Sequence, residues 1–256
     1  APEISLASNR QWVARLNEAG IAAFMYFYNV HANAETIQSR FAADLVADEA
    51  GRRIIQYRGE PALHAQPGSP FGRHLLEQMD LMIQAYPDLP GFFVDNFSIQ
   101  MIDFAHDDGV TMVHSRPAYD LNRNHQVIGP ACFEKAHKAG KVIMVNKLTS
   151  IESARGADIV LAEGMDTAYM KQLALACLYR PFYPLGWHHA DRPARPVERS
   201  MQQLLILGGL PEEGFCRSDM PTVQAYRPLT DCLIGKRWVL EDDPLTLPGG
   251  FEGQIF

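Results

Sequence analysis

The sequence predicts an α/β protein of the (β/α)8 TIM-barrel type, incomplete at its amino-terminal end. Short apolar runs alternate with amphipathic stretches along most of the 256 residues, the pattern of parallel strands joined by crossover helices. Several of those runs end in polar or acidic residues, as strands do when a site is built at their carboxyl ends. The first legible element is a helix without a strand before it, so the expected sheet has fewer than eight strands from this segment.

Taken in order, Trp12, Val13 and Leu16 fall at helical spacing within residues 9–18, and Gly20 closes that helix before an apolar strand at 21–28. A polar, irregular stretch follows to about residue 70. Leu75, Leu76, Met79, Met82 and Ile83 then define one helical face, ended by the turn Pro87-Asp88-Leu89-Pro90. Residues 91–96 read as a buried strand ending in a carboxylate. Residues 98–122 form a long connection around His106-Asp107-Asp108-Gly109, and connections of that length in compact domains are commonly functional. A helix through Phe133–Lys138 feeds a strand at 141–146, and a brief helix at 150–155 precedes a strand at 157–163 with an acid at its carboxyl end. The cycle continues with a helix at about 166–177, a strand at 178–183 and a helix at about 197–207. Beyond Gly208 the pattern decays. Residues 228–256 read as extended, turn-rich chain, which divides the sequence into a barrel-like domain, 1–227, and an exit segment.

Composition excludes several functions. No apolar run approaches the roughly 18 residues of a membrane helix, and 47% hydrophobic with 21% charged residues is a globular balance. A net charge of −7, with basic residues scattered singly or in pairs such as Arg52-Arg53 and Lys236-Arg237, gives no nucleic-acid groove. The four cysteines, 132, 177, 216 and 232, lack metal-ligand spacing and read as buried thiols, with a Cys216–Cys232 pair left open. No motif implies a cofactor. The start, Ala1-Pro2-Glu3, fits a cleaved leader as well as an internal starting point, so the compartment stays open.

The strand ends present Tyr26, Tyr28 and Asn29; Asp95 and Asn96; Asn146 and Lys147; then Glu163 and, one turn on, Asp166. Two acids at one mouth, with amides, a lysine and aromatics, are the equipment of glycoside hydrolysis. One carboxylate stabilises or traps the oxocarbenium centre and a protonated carboxyl neutralises the leaving oxygen. Trp187 and His188 follow a later strand, where an exposed indole can stack on a sugar face. Each residue also has a plainer role open to it. Asp95 can cap its turn, Glu163 can pair with Lys147 or Arg180, Asp166 can open a helix, and Tyr26 and Tyr28 can be core. Asp107 and Asp108 shape a turn or touch sugar hydroxyls. A metal-dependent hydrolase using His106, Asp107, Asp108 and His114 is the competing enzyme reading, although those residues satisfy no ligand spacing. A carbohydrate-binding barrel without catalysis is the competing reading outside enzymes.

The stretch Gly91-Phe92-Phe93-Val94-Asp95-Asn96-Phe97, followed by Asp103-Phe104-Ala105-His106-Asp107-Asp108-Gly109, resembles bacterial proteins classed as glycoside hydrolases. More distantly it resembles the α-galactosidase-type clan, over roughly residues 10–256. The resemblance implies a barrel with its nucleophile at the end of strand four and its acid/base at the end of strand six. With the strand at 21–28 as the third, those positions are Asp95 and Glu163. It further implies an α-linked carbohydrate substrate and a retaining mechanism. The clan's acid/base is usually an aspartate, whereas this strand offers Glu163 first and Asp166 after it. Gly235-Lys236-Arg237-Trp238-Val239-Leu240 resembles the passage from such barrels into a carboxyl-terminal β-sandwich. Further domains or a second chain are then expected to complete the barrel.

Overall fold

The computed structural model describes residues 5–28, 39–55, 59–95, 101–148, 150–163, 167–177, 179–185, 197–211 and 217–237. It divides into two compact units, one of residues 1–145 and 149–157, the other of 146–148 and 158–256.

The first unit opens with α1 (Leu6–Glu18), whose N-cap Ser5 accepts from the Ser8 amide at 3.1 Å. Of the three apolar residues expected on one face, Val13 is buried and Trp12 is 59% exposed. Strand β1 (Phe24–Tyr28) follows. Helix α2 (Pro70–Ala85) begins with Ser69 as N-cap and Pro70 in its first turn, and buries Phe71, Leu75 and Met79. Strand β2 (Gly91–Asp95) runs parallel to β1. After the insertion described below, α3 (Asn122–Lys138) leads to β6 (Val142–Asn146), parallel to β2. Helix α3 is nearly three times as long as the Phe133–Lys138 stretch expected, because Pro130, which reads as a breaker, lies inside it. The brief helix α4 (Ile151–Gly156) has Ser150 as N-cap. Gly91 is required where it stands, since a Cβ there falls 2.2 Å from the Val142 carbonyl oxygen.

The pleat sorts these strands into two unlike faces. Phe27, Phe92, Val94, Ile143 and Val145 are all at most 4% exposed, and each such side chain contributes about 1.5–3 kcal/mol of burial. The alternate residues Tyr26, Phe93 and Met144, aligned by register, lie on the less covered face.

Between β2 and α3 the expected irregular connection is a small antiparallel sheet. Its strands β3 (Ile102–Asp103), β4 (Thr111–Val113) and β5 (Arg116–Asp120) have the order β3-β5-β4. The stretch before residue 70 is also more ordered than its polarity suggests. A 3-10 turn at Ala42–Asp44 is followed by bridges Leu45–Leu63, Ala47–Arg53 and Ile55–Pro61. Val46 and Ala62 pack with Tyr119 and Leu121 in one buried cluster, against Ile54 and Met101.

In the second unit, β7 (Ile159–Glu163) and β8 (Phe182–Leu185) are parallel, with Val160 opposite Phe182 and Glu163 opposite Leu185. Strand β8 starts later than the expected 178–183, because the chain after α5 (Thr167–Cys177) first makes a turn in which the Arg180 amide donates to the Cys177 carbonyl at 3.0 Å. Val160, Ala162 and Phe182 are buried without remainder. Helix α6 (Val197–Ile206) buries Met201 and Leu204. Helix α7 (Met220–Asp231) corrects the expectation of decaying structure after Gly208 and of extended chain from Pro228. Pro221 occupies its first turn, where no donor is lost, and Pro228 is carried inside it, so the division at 227/228 falls within a helix. Residues 238–256, expected to lead towards a β-sandwich, lie outside the described residues. Among the described residues no helix is long and apolar enough to cross a membrane.

Candidate active site

Asp95 is the last residue of β2, on the less covered face with Tyr26 and Phe93. The phenol of Tyr26 donates to Asp95 Oδ2, and its ring meets Phe93 edge-on with centroids 5.7 Å apart. Tyr26 is 52% exposed. It therefore lies beside an acid at a solvent-facing strand end, unlike a core tyrosine. Tyr28 sits opposite Asp95 in register.

Glu163 ends β7 in the second unit, half-buried, on the face opposite to Val160 and Ala162. The Asn146 amide donates to Glu163 Oε1 at 3.2 Å. Asn146 is buried, and Lys147 follows it with φ of 71°, a left-handed conformation that a lysine adopts at a cost. The Lys147 amide is held by the Leu161 carbonyl at 2.7 Å. Two of the expected site residues thus turn out to be neighbours of the two acids, Tyr26 of Asp95 and Asn146 of Glu163. Asn29, Asn96, Asp166, Trp187 and His188 lie outside the described residues.

The acids of the insertion have structural work. Asp107 is exposed and accepts from the Gly109 amide at 2.8 Å, shaping the turn. Asp108, expected to reach sugar hydroxyls, has a side chain only 3% exposed. Its Oδ1 accepts from the Val110 and Thr111 amides at 3.0 and 2.6 Å, and its Oδ2 accepts from Thr111 Oγ1 at 2.6 Å. The Arg123 guanidinium stands 3.2 Å from the same Oδ2. Burial alone would push this carboxyl up, but the Thr111 hydroxyl and the converging amides outweigh it and hold it far below the ordinary carboxylate range.

The grouping His106, Asp107, Asp108 and His114 does not form. His114, at the tip of the β4–β5 hairpin, faces Glu49 at 3.2 Å. His106 turns towards Asp103 instead, and with His64 these make a compact, mostly buried cluster. Neither His64 nor Asp103 stood out as a site residue in the sequence, where the only signal is the Asp103-x-x-His106 spacing. A groove of about 620 Å³ beside α3 and α4, lined by Gln126, Phe133, His137 and Arg155 among others, contains none of the expected site residues.

No family model and no curated protein sequence matches the chain. Solved structures do. The α-N-acetylgalactosaminidase of Bifidobacterium bifidum in complex with GalNAc is 12% identical, aligned over 90% of this chain and 38% of its own, with a TM-score of 0.56. The same enzyme with Gal-NHAc-DNJ gives 0.59 at 10% identity, over 91% and 39%. A β-galactosidase from Rahnella sp. R3 gives 0.59 at 12% identity, over 93% of this chain and 50% of its own. The chain therefore spans about 38% of the length of the first of these relatives. The relationship is distant and is one of fold: the α/β architecture is that of part of a TIM barrel of the kind glycoside hydrolases use.

Proposed function

We propose that the chain carries the site of a glycoside hydrolase that cleaves an O-glycosidic bond, with Asp95 as nucleophile and Glu163 as general acid/base. The observation that carries it is that each acid ends a parallel strand of a barrel-type fold beside a hydrogen-bond donor on the neighbouring strand. Carboxyl ends of such strands are where barrel chemistry is built. Tyr26 orients the Asp95 carboxylate for attack on the anomeric carbon. Asn146 occupies Glu163 Oε1, leaving Oε2 to give its proton to the departing oxygen and to take one from water in the second step. The bond to the aglycone breaks as that to Asp95 forms, and hydrolysis of the glycosyl-enzyme returns both carboxyls to their starting states, with retention.

The assignment of an α-linked substrate rests on the resemblance of the Asp95 stretch to the α-galactosidase-type clan, and the likeness to an α-N-acetylgalactosaminidase supports it. The test is a screen of aryl α-galactosides and α-N-acetylgalactosaminides, with their β-linked counterparts, against the full-length protein. Turnover of an α-linked aryl glycoside that Asp95→Ala abolishes is the expected result. Sugar binding without turnover of any glycoside would replace catalysis with a carbohydrate-binding barrel.

A further inference from the structure

We propose that His64, Asp103 and His106 form a binding site for a divalent transition-metal ion of the zinc class, where the stretch between β1 and α2 meets the insertion between β2 and α3. One potential ligand atom from each residue lies within 4.8 Å of the others. The three come from separate places: His64 follows the Leu45–Leu63 bridge, Asp103 ends β3, and His106 lies in the bend after it.

The surroundings are arranged as they are around metal ligands. Asp103 is fully buried, and its Oδ1 accepts from the Ala47 and Ala105 amides at 3.0 and 2.8 Å, which fixes the carboxylate with Oδ2 turned to His106 Nδ1. His106 Nε2 lies 2.9 Å from the Ala43 carbonyl, a group that only accepts, so Nε2 carries a hydrogen; Nδ1, hydrogen-bonded to Asp103 Oδ2, is the ring atom an ion would take, with release to solvent of the proton the two share. A metal-bound histidine commonly donates its other ring N–H to a backbone carbonyl, which fixes the ring's orientation. The independent observation is His64 Nδ1. Its residue is 8% exposed, and among the described residues that nitrogen meets no hydrogen-bond partner. A buried ring nitrogen without a partner costs free energy that a bound ion would offset.

Two imidazoles with one carboxylate select a zinc-like ion over calcium or magnesium, which take oxygen ligands. Three protein ligands leave a fourth position open. As placed, the His64 ring lies parallel to His106, with centroids 4.3 Å apart and 9° between planes. One ion cannot lie in both ring planes of such a stack. Capture therefore turns the His64 side chain, while its backbone stays tied by the amide to the Asp44 carbonyl at 2.8 Å. Bonds of about 2.0–2.1 Å to tetrahedral zinc need ligand atoms about 3.3–3.5 Å apart, so the hydrogen-bonded His106 Nδ1 and Asp103 Oδ2 part to admit the ion as the His64 ring turns. No step of the proposed glycoside hydrolysis passes through this ion, and its test stands whatever the fate of that reading.

Untagged full-length protein, dialysed against chelator, is titrated with Zn²⁺ alone by calorimetry. One equivalent should bind, and His64→Phe, which keeps a stacked ring but removes both nitrogens, should weaken that binding at least roughly tenfold. Asp103→Asn should do the same. Absence of a stoichiometric event in the wild type, or unchanged affinity in a His64→Phe protein with native circular dichroism, overturns the proposal. A readout without substitution covers the case in which a variant does not fold. Added Co²⁺ should broaden the ring-proton resonances of His64 and His106 before those of other histidines, and broadening confined to other histidines overturns the site.

Discussion

The phenol of Tyr26 on β1 donates to Oδ2 of Asp95 at the end of β2, across a parallel register that pairs Tyr26 with Phe93 and Tyr28 with Asp95. The strand alternation puts Tyr26, Phe93 and Asp95 on one face, and the edge-on contact with Phe93 fixes the tyrosine ring. A hydroxyl so held sets the orientation of the carboxylate.

Tyr26→Phe keeps the ring contact and removes only that hydrogen bond. If Tyr26 positions the nucleophile, kcat should fall roughly 10–100-fold, since a hydrogen bond to a charged group is worth about 1.5–3 kcal/mol. KM should change little. A raised KM with unchanged kcat would make Tyr26 a wall of the sugar site, because uniform binding is then what was lost. Steady-state kinetics on the best aryl glycoside separates the two.

The β4–β5 hairpin stores strain. His114 and Ser115 form its two-residue loop between Val113 and Arg116, with φ of 48° and 61°. Such a loop is ordinarily supplied by Asn-Gly. Left-handed backbone costs roughly 1–2 kcal/mol per ordinary residue. Replacing the pair also removes the exposed contact of His114 with Glu49, worth at most about 1 kcal/mol. His114→Asn with Ser115→Gly should therefore raise stability by about 1 kcal/mol in urea unfolding, and a loss of stability would show that the Glu49 contact outweighs the strain.

Asp108 makes the insertion sensitive to acid. Its carboxyl is held below the ordinary range in the folded protein, so the unfolded chain takes up a proton first as pH falls. The stability it contributes is fully present above the ordinary carboxylate pKa of about 4 and is lost as pH drops through the folded value. Asp108→Ala, which strands the Thr111 and Val110 amides and Arg123, should cost about 2–4 kcal/mol at neutral pH. The difference in urea midpoint between wild type and variant should shrink below about pH 4. A constant difference across that range would remove Asp108 from the acid response.

The strands that frame the proposed chemistry were legible because β2, β6 and β7 are unbroken apolar runs, each ending in a polar residue. Tyr26 and Asn146 were legible as candidate site residues but not as partners of the two acids, because the register that sets Tyr26 opposite Phe93, two residues before Asp95, is not encoded in local periodicity. The insertion was not, because its strands are as short as two residues and Pro117 interrupts β5. Helix α7 was hidden by Pro221 and Pro228. The His64–Asp103–His106 cluster depends on a meeting of residues some forty positions apart, which local periodicity does not encode. The left-handed Lys147 carries no sequence signal, since glycine is the residue that ordinarily marks such a position.

The two proposed catalytic acids are separable by leaving group. A nucleophile is needed to form the glycosyl-enzyme whatever departs, whereas a general acid matters most when the leaving oxygen is poor. Asp95→Ala should abolish turnover of every glycoside, and added azide or formate should restore part of it by filling the vacated space. Glu163→Ala should spare activated aryl glycosides and slow the natural glycoside by roughly 10²–10⁴-fold. The Asn146 contact adds a graded test, because Asn146→Ala frees Glu163 Oε1 and should lower turnover of poor leaving groups more than of activated ones. If Glu163→Ala leaves natural-substrate turnover intact while Asp166→Ala cripples it, the acid/base is Asp166. Normal activity of Asp95→Ala in an active enzyme would remove the nucleophile from β2 altogether.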